Sequence, residues 1–156
     1  MPKEIELTQG YVAIVDDEDY ERASQYSWRA MPRDNGDVYA LRLTKERKNQ
    51  FLHHFILNTT KMCDHKDRNA LNNQKDNLRI CTHQQNCANR GPRQNFLGYK
   101  GVTLIRSGRF MARIKGKSLG TFDTPEEAAR AFDKYAYEQD GEFAYLNFPL
   151  HEEAGD

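Results

Sequence analysis

Between residues 98 and 141 the order of turns, alternation and capping leaves the chain little choice of fold. Ser107-Gly108 and Gly116-Lys117 stand where hairpin turns belong and divide 100–105, 109–115 and 118–122 into three short strands. Thr124-Pro125-Glu126-Glu127 then starts a helix, with Thr as N-cap, Pro at the first helical position and Glu three residues after the cap. Ala128, Phe132, Tyr135 and Ala136 follow at helical spacing, and Gly141 closes the helix. The expectation is a three-stranded antiparallel sheet covered on one face by one amphipathic helix. On the middle strand, period-2 alternation places Arg109, Met111, Arg113 and Lys115 on one face and Phe110, Ala112 and Ile114 on the other. One face is cationic and the other is apolar, so the helix covers the second.

Charge matters here because its average conceals its distribution. The 156 residues carry a formal net charge of zero, yet residues 96–118 hold six basic and no acidic groups, and residues 119–156 hold two basic and ten acidic ones. Residues 51–95 lean positive and residues 1–50 slightly negative. Such blocks imply a basic surface turned toward a polyanion and an acidic one turned away. No apolar run approaches the roughly 18 residues of a membrane span, and Met1-Pro2-Lys3-Glu4-Ile5-Glu6 contains no apolar signal core. Cys63, Cys81 and Cys87 make an odd set with no disulfide framework, and with His83 they lack the paired Cys-x-x-Cys spacing of a zinc site. A cytoplasmic protein without membrane association is expected.

Upstream, residues 1–50 read as a β-rich leader. Glu4-Ile5-Glu6-Leu7 alternates as a strand, Thr8-Gln9-Gly10 turns, and Tyr11-Val12-Ala13-Ile14-Val15 forms a second strand. Asp16-Asp17-Glu18-Asp19 opens a short helix, since carboxylates suit the positive end of the helix dipole. Trp28 and 38–43 mark further strands around Asp34-Asn35-Gly36. Residues 51–90 begin with a short apolar helix over 51–57, in which His53 and His54 serve as packing residues or touch phosphate. A polar loop, a strand at 78–81 and a helix capped by Thr82 and running to about Arg90 follow, giving a ββα unit. Gly91-Pro92-Arg93-Gln94-Asn95 reads as a linker, 96–149 as the sheet-and-helix domain, and 150–156 as an acidic tail.

The densest chemistry runs from Cys63-Asp64-His65 through an Asn-rich loop to Asn77-Leu78-Arg79 and Asn86. Phosphodiester hydrolysis needs a base to deprotonate water, a hard cation to neutralise developing charge, and a group that holds the base. His has its unperturbed pKa near working pH. Mg²⁺ takes oxygen ligands, one or two of them from protein. Asp64, His65, Asn77 and Asn86 supply this set without sulfur. A ββα unit would bring Asn86 back against Asp64.

These residues resemble the ββα-metal motif of HNH homing endonucleases in their His-Asn-Asn form. Leu7-Thr8-Gln9-Gly10, Val15-Asp16-Asp17-Glu18-Asp19-Tyr20, Trp28 and Tyr39-Ala40 resemble the leader of phage and bacterial members. The resemblance implies His65 as general base, Asn77 as the residue that orients the site, and Asp64 and Asn86 as ligands of a single Mg²⁺ or Mn²⁺ ion. Two departures stand out: His53-His54 replaces His-Arg, and Asn73-Gln74 replaces Asn-Arg, which removes a bidentate phosphate donor.

Tyr99-Lys100-Gly101-Val102, the run 119–133 and Leu146-Asn147-Phe148-Pro149 resemble the AP2/ERF DNA-binding domain. That resemblance implies a three-stranded sheet laid in the major groove. Lys100, Arg109 and Lys115 fall on basic contact positions. Thr103, Ile105 and Ser107 stand where the plant proteins carry Arg, Arg and Trp, and Arg113 replaces a Glu, so sequence preference does not transfer. The expected DNA contacts are Lys100, Thr103, Arg106, Arg109, Arg113, Lys115, Lys117, Arg79 and Arg90.

The whole chain therefore reads as α+β: a leader, an HNH unit and an AP2-like domain. The expected function is site-specific endonuclease action on double-stranded DNA by a monomer that nicks one strand and needs no obligate protein partner. The alternative is a non-catalytic DNA-binding regulator in which the HNH scaffold serves only as an anchor.

Overall fold

The computed structural model describes residues 1–92 and 97–149, so residues 93–95 of the expected linker and the tail 150–156 lie outside the described residues. The fold is α+β, built from short helices and small antiparallel sheets. It divides into two compact units, Met1–His83 and Gln84–Asp156.

In the first unit, β1 (Lys3–Glu6) and β2 (Val12–Val15) form an antiparallel pair in which Ile5 faces Ala13. Helix α1 (Asp17–Ser24) follows with three carboxylates in its first turn, and the Trp28 indole Nε1 donates to the Ala23 carbonyl at its last turn (2.8 Å). A second sheet has the order β3 (Arg29–Pro32), β4 (Val38–Leu43), β5 (Asn49–Phe51). The third strand takes Phe51, so the apolar helix α2 spans Leu52–Leu57 and ends on Asn58 in the left-handed region, which Asn tolerates. Strands β6 (Cys63–His65) and β7 (Leu78–Ile80) pair antiparallel, with Asp64 opposite Arg79. Ile5, Val15, Ala23, Trp28, Ala40, Leu52, Ile56 and Leu78 share one core. The leader and the β6–β7 pair are thus one packed body, because neither has enough apolar side chains to close a core by itself.

In the second unit, the short helix α3 (His83–Ala88) starts at the boundary. A sheet ordered β10 (Lys117–Phe122), β9 (Phe110–Ile114), β8 (Val102–Leu104) carries α4 (Pro125–Asp140) on one face. The Thr124 hydroxyl accepts from the Glu127 amide (3.2 Å), which is the cap expected from the sequence. Ala112 and Val102 pack on Ala128 and Ala129, and Ile114 on Phe132 and Ala136. Gly101 lets α4 approach: a Cβ there would lie 2.2 Å from the Phe132 ring, and its φ of +77° suits glycine. The β9–β10 turn differs by one residue from the sequence expectation. Ile114 pairs with Lys117, so the turn residues are Lys115 and Gly116, both at positive φ. Among the described residues, no helix is long and apolar enough to cross a membrane.

Candidate functional site

Strand β6 ends on the two residues that carry the most chemistry. Pairing in register puts Asp64 beside Arg79, whose Nε donates to Oδ1 (2.6 Å) and Nη2 to Oδ2 (3.1 Å). Both side chains are enclosed, with 2% of Asp64 and 11% of Arg79 exposed. Arg79, one of the expected DNA contacts, thus directs its Nε and Nη2 to this carboxylate.

His65 is buried, and its Nε2 lies 3.2 Å from the Asn73 side-chain oxygen. An amide oxygen only accepts, so Nε2 carries the proton and Nδ1 carries the lone pair. Asn73 is itself buried and fixed: its Nδ2 donates to the Ala70 carbonyl (3.3 Å) and its backbone N–H to the Ile14 carbonyl (2.7 Å). In the sequence Asn73 stands out only as half of a motif departure. Its spacing of eight residues from His65 gave no periodic signal, because a folded loop joins the two.

Burial lowers the His65 pKa; the Asn73 hydrogen bond and the carboxylates of Asp67, Asp64 and Asp37 pull the other way without overcoming it. The ring is neutral at neutral pH and has the lone pair a base requires.

Asn77 holds the loop closed. It accepts from the Asp67 amide (3.0 Å) and donates to the Asp67 carboxylate (2.9 Å) and the Asn72 carbonyl (2.8 Å). Burial alone would raise the Asp67 carboxyl, but hydrogen bonds from the Asn72 side chain, the Asn69 amide and the Asn77 side chain outweigh it and hold the pKa low. Asn77 acts at one remove from His65, through loop shape.

An aromatic wall stands against His65. His53, on α2, stacks on Phe51 at 5.3 Å and meets His65 edge-on at 5.2 Å, while the Tyr39 ring lies 6.2 Å from both imidazoles. Burial, then the neighbouring His65 and His54, push the His53 pKa down to about 3. His53 is thus a neutral packing partner of the candidate base.

One buried carboxylate outside the site ties its supports together. Asp19 accepts from Arg22 Nη2 (2.7 Å), and Arg22 in turn donates to the Phe55 and Ile56 carbonyls at the end of α2. Lys75, from the Asn-rich loop, places its ammonium 2.8 Å from Glu18 and 3.4 Å from Asp19, and its backbone N–H on Asp16 (2.8 Å). Among the described residues, Asp19 Oδ2 has that ion pair and no hydrogen bond of good geometry. Asp16, Glu18 and Asp19 are also the group of three cation-binding donors found among the described residues, and Lys75 serves it as cation.

The expected ligands of a divalent ion, Asp64 and Asn86, carry oxygen donors of the kind a hard cation takes, and they belong to different units. Thiolate ligation does not fit: burial pushes the Cys81 thiol up to about 11 and raises that of Cys63. Asn86 lies half-buried on α3, in the second unit. The last turn of that helix is held by Lys100, whose Nζ donates to the Ala88 carbonyl (2.9 Å), and by the Tyr145 N–H on the same carbonyl (3.0 Å). Lys100, one of the expected DNA contacts, thus has its ammonium on the end of this helix.

On β9 the alternation is as the sequence implies: Arg113 is exposed, while Ala112 and Ile114 are buried under α4. Thr103, on the neighbouring strand, pairs with Met111. Arg109 contacts Asp123 (3.2 Å), Lys115 pairs with the enclosed Asp140 (3.2 Å), and Lys117 sits 5.1 Å over the Tyr135 ring. Arg106 and Arg113 are exposed and have no carboxylate partner among the described residues. Arg90 is exposed just beyond α3.

The chain is similar to an uncharacterized HNH endonuclease of Acanthamoeba polyphaga mimivirus, with 29% identity over 147 residues, covering 89% of this chain and 76% of that protein. It is also similar to an ethylene-responsive transcription factor of Arabidopsis thaliana (37% over 65 residues) and to an APETALA2-like protein of Oryza sativa (44% over 66 residues). Those matches cover 38% and 39% of this chain but only 35% and 15% of the plant proteins. No family model and no solved structure matches the chain.

Proposed function

We propose that this protein is a metal-dependent DNA endonuclease of the HNH type that grips double-stranded DNA with the sheet of its second unit and nicks one strand. The observation that carries the reading is the neutral, tautomer-fixed His65 next to Asp64 on a paired strand. Similarity to an HNH endonuclease over most of the chain supports it. His65 Nδ1 takes the proton of the attacking water while Asn73 holds the ring, so the imidazolium that forms keeps a hydrogen-bonded partner. Asp64 and Asn86 are the residues that would hold Mg²⁺ or Mn²⁺, and such an ion would supply positive charge against the phosphate and the leaving 3′-oxygen. Products carry 5′-phosphate and 3′-hydroxyl ends. Arg113 and Arg106 hold DNA phosphates or base edges from β9 and the β8–β9 turn.

One observation favours a second reading. Both Asp64 oxygens are engaged by Arg79, as in a structural ion pair, which suits a non-catalytic DNA-binding protein. Incubating the protein with a supercoiled plasmid library in Mg²⁺ or EDTA separates the two. Endonuclease action gives ligatable nicks in Mg²⁺ that His65→Ala abolishes. If wild type and His65→Ala relax the plasmid equally, or neither does, the catalytic reading fails, and retention of DNA without nicking leaves the second.

A further inference from the structure

The first unit has a groove that neither His65 chemistry nor the sheet of the second unit uses. It encloses about 310 Å³ between the β3–β4 turn and the loop that follows His65. Asp37 and Val38 line one side; Arg68, Asn69 and Leu71 line the other. It adjoins the candidate base: the Arg68 N–H donates to the His65 carbonyl (2.9 Å).

Three features of the groove point to a ligand. Its lining includes the aliphatic residues Val38 and Leu71, both half-buried, which offer apolar surface to a ring. Its edge offers one acceptor and one donor with no partner among the described residues. Asp37 Oδ2 receives Asn35 Nδ2 (2.7 Å), which fixes the carboxylate and leaves Oδ1 open. Asn69 Oδ1 receives the Leu71 N–H (3.1 Å), which fixes the amide and leaves its Nδ2 open. Finally, Arg68 is exposed at φ +62°, a left-handed position that Gly or Asn would fill with less strain. Arg68 thereby brings a cationic residue to the lining of the groove.

Resting on the proposed function, we infer that this groove is a base-reading subsite: it seats one nucleobase of the target DNA next to the scissile phosphate. The base lies between Val38 and Leu71. Asp37 accepts from its exocyclic amino group, Asn69 donates to a ring or carbonyl acceptor, and Arg68 holds the adjoining phosphate. A carboxylate acceptor selects a base that carries an exocyclic amino group, as cytosine, adenine and guanine do, and rejects thymine, which has none and whose oxygen would face the carboxylate. The second unit then selects the site, and this groove adds a preference at one position beside the nick.

The experiment uses the full chain and a DNA library randomised around a bound site. Two readouts are sequenced: the nicked fraction in Mg²⁺ and the retained fraction in EDTA. The expected result is a bias of at least fivefold against thymine at a single position. Asp37→Asn should remove that bias or turn it toward thymine, and Asn69→Ala should weaken it. Arg68→Ala should lower retention at that site for all sequences without changing the bias. A retained fraction with no single-position bias outside the second unit's site overturns the subsite, as does a bias that survives both Asp37→Asn and Asn69→Ala. Loss of nicking with the bias intact in the retained fraction would sink the endonuclease reading and leave the subsite standing.

Discussion

Asp64 and Arg79 face each other across the β6–β7 pair and share two hydrogen bonds, with almost no solvent between them. A buried carboxylate keeps its charge only while something positive answers it. In this structure that role falls to a guanidinium; in the proposed enzyme a divalent ion shares it.

Exchange between the two is measurable. Arg79→Met leaves Asp64 buried without its partner and should cost about 3–5 kcal/mol of stability in EDTA. Mg²⁺ or Mn²⁺ should restore a sizeable part of that loss, because the cation takes the guanidinium's place, and should stabilise wild type much less. Urea melts of both proteins with and without metal give the answer. Equal metal effects on the two proteins would remove Asp64 from the list of ligands.

Asn73 should matter to the rate more than to DNA affinity. Asn73→Ala frees the His65 ring and should lower turnover by about tenfold or more, with retention in EDTA little changed. Asn73→Asp places a carboxylate against the ring, favours the imidazolium and raises the His65 pKa. The acid limb of the rate–pH profile should then move to higher pH. A profile that stays in place would mean that His65 is not the titrating base.

His53 gives a stability signature with a definite sign. Its folded pKa of about 3 lies below the 6.5 of an exposed His, so between those values the unfolded chain binds the extra proton. Stability therefore falls as pH drops below about 6.5, by up to about 1.4 kcal/mol per pH unit for one such group. The lowered pKa of His65 acts in the same direction. His53→Phe keeps a ring against Phe51 and removes one titrating group. Its urea midpoint should be less sensitive to pH between 6.5 and 4 than that of wild type.

What the sequence could show divides along a physical line. Features set by neighbours in the chain were legible: the Thr124 cap, the alternation on β9 and the loop-forming Asn-rich run after His65. Features set by contacts across long sequence distances were not. Asp19 reaches Lys75 across 56 positions, and Asn73 depends on Ile14 from the leader; neither pairing has a local pattern to read. The turn at Lys115–Gly116 lies between. Its residues were visible, but a register one residue away has nearly the same composition, and only the Ile114–Lys117 pairing decides it.

The same division separates two lysine and arginine positions that the sequence placed on one DNA face. Arg113 is exposed on β9 and answers to no carboxylate among the described residues, so Arg113→Ala should leave stability within about 0.5 kcal/mol. If it meets a phosphate, the slope of log affinity against log salt should fall by about one, with little change in sequence preference. If it reads a base, the slope should hold while preference relaxes at one position. Lys100 should behave differently, because its ammonium caps the α3 carbonyls. Lys100→Met removes that cap and should cost about 1 kcal/mol, together with weaker amide protection in residues 84–88. Lys100→Arg, which keeps donors for the same carbonyls, should recover much of both. Should Lys100→Met instead change only the salt slope, with α3 protection unaltered, Lys100 serves DNA rather than α3.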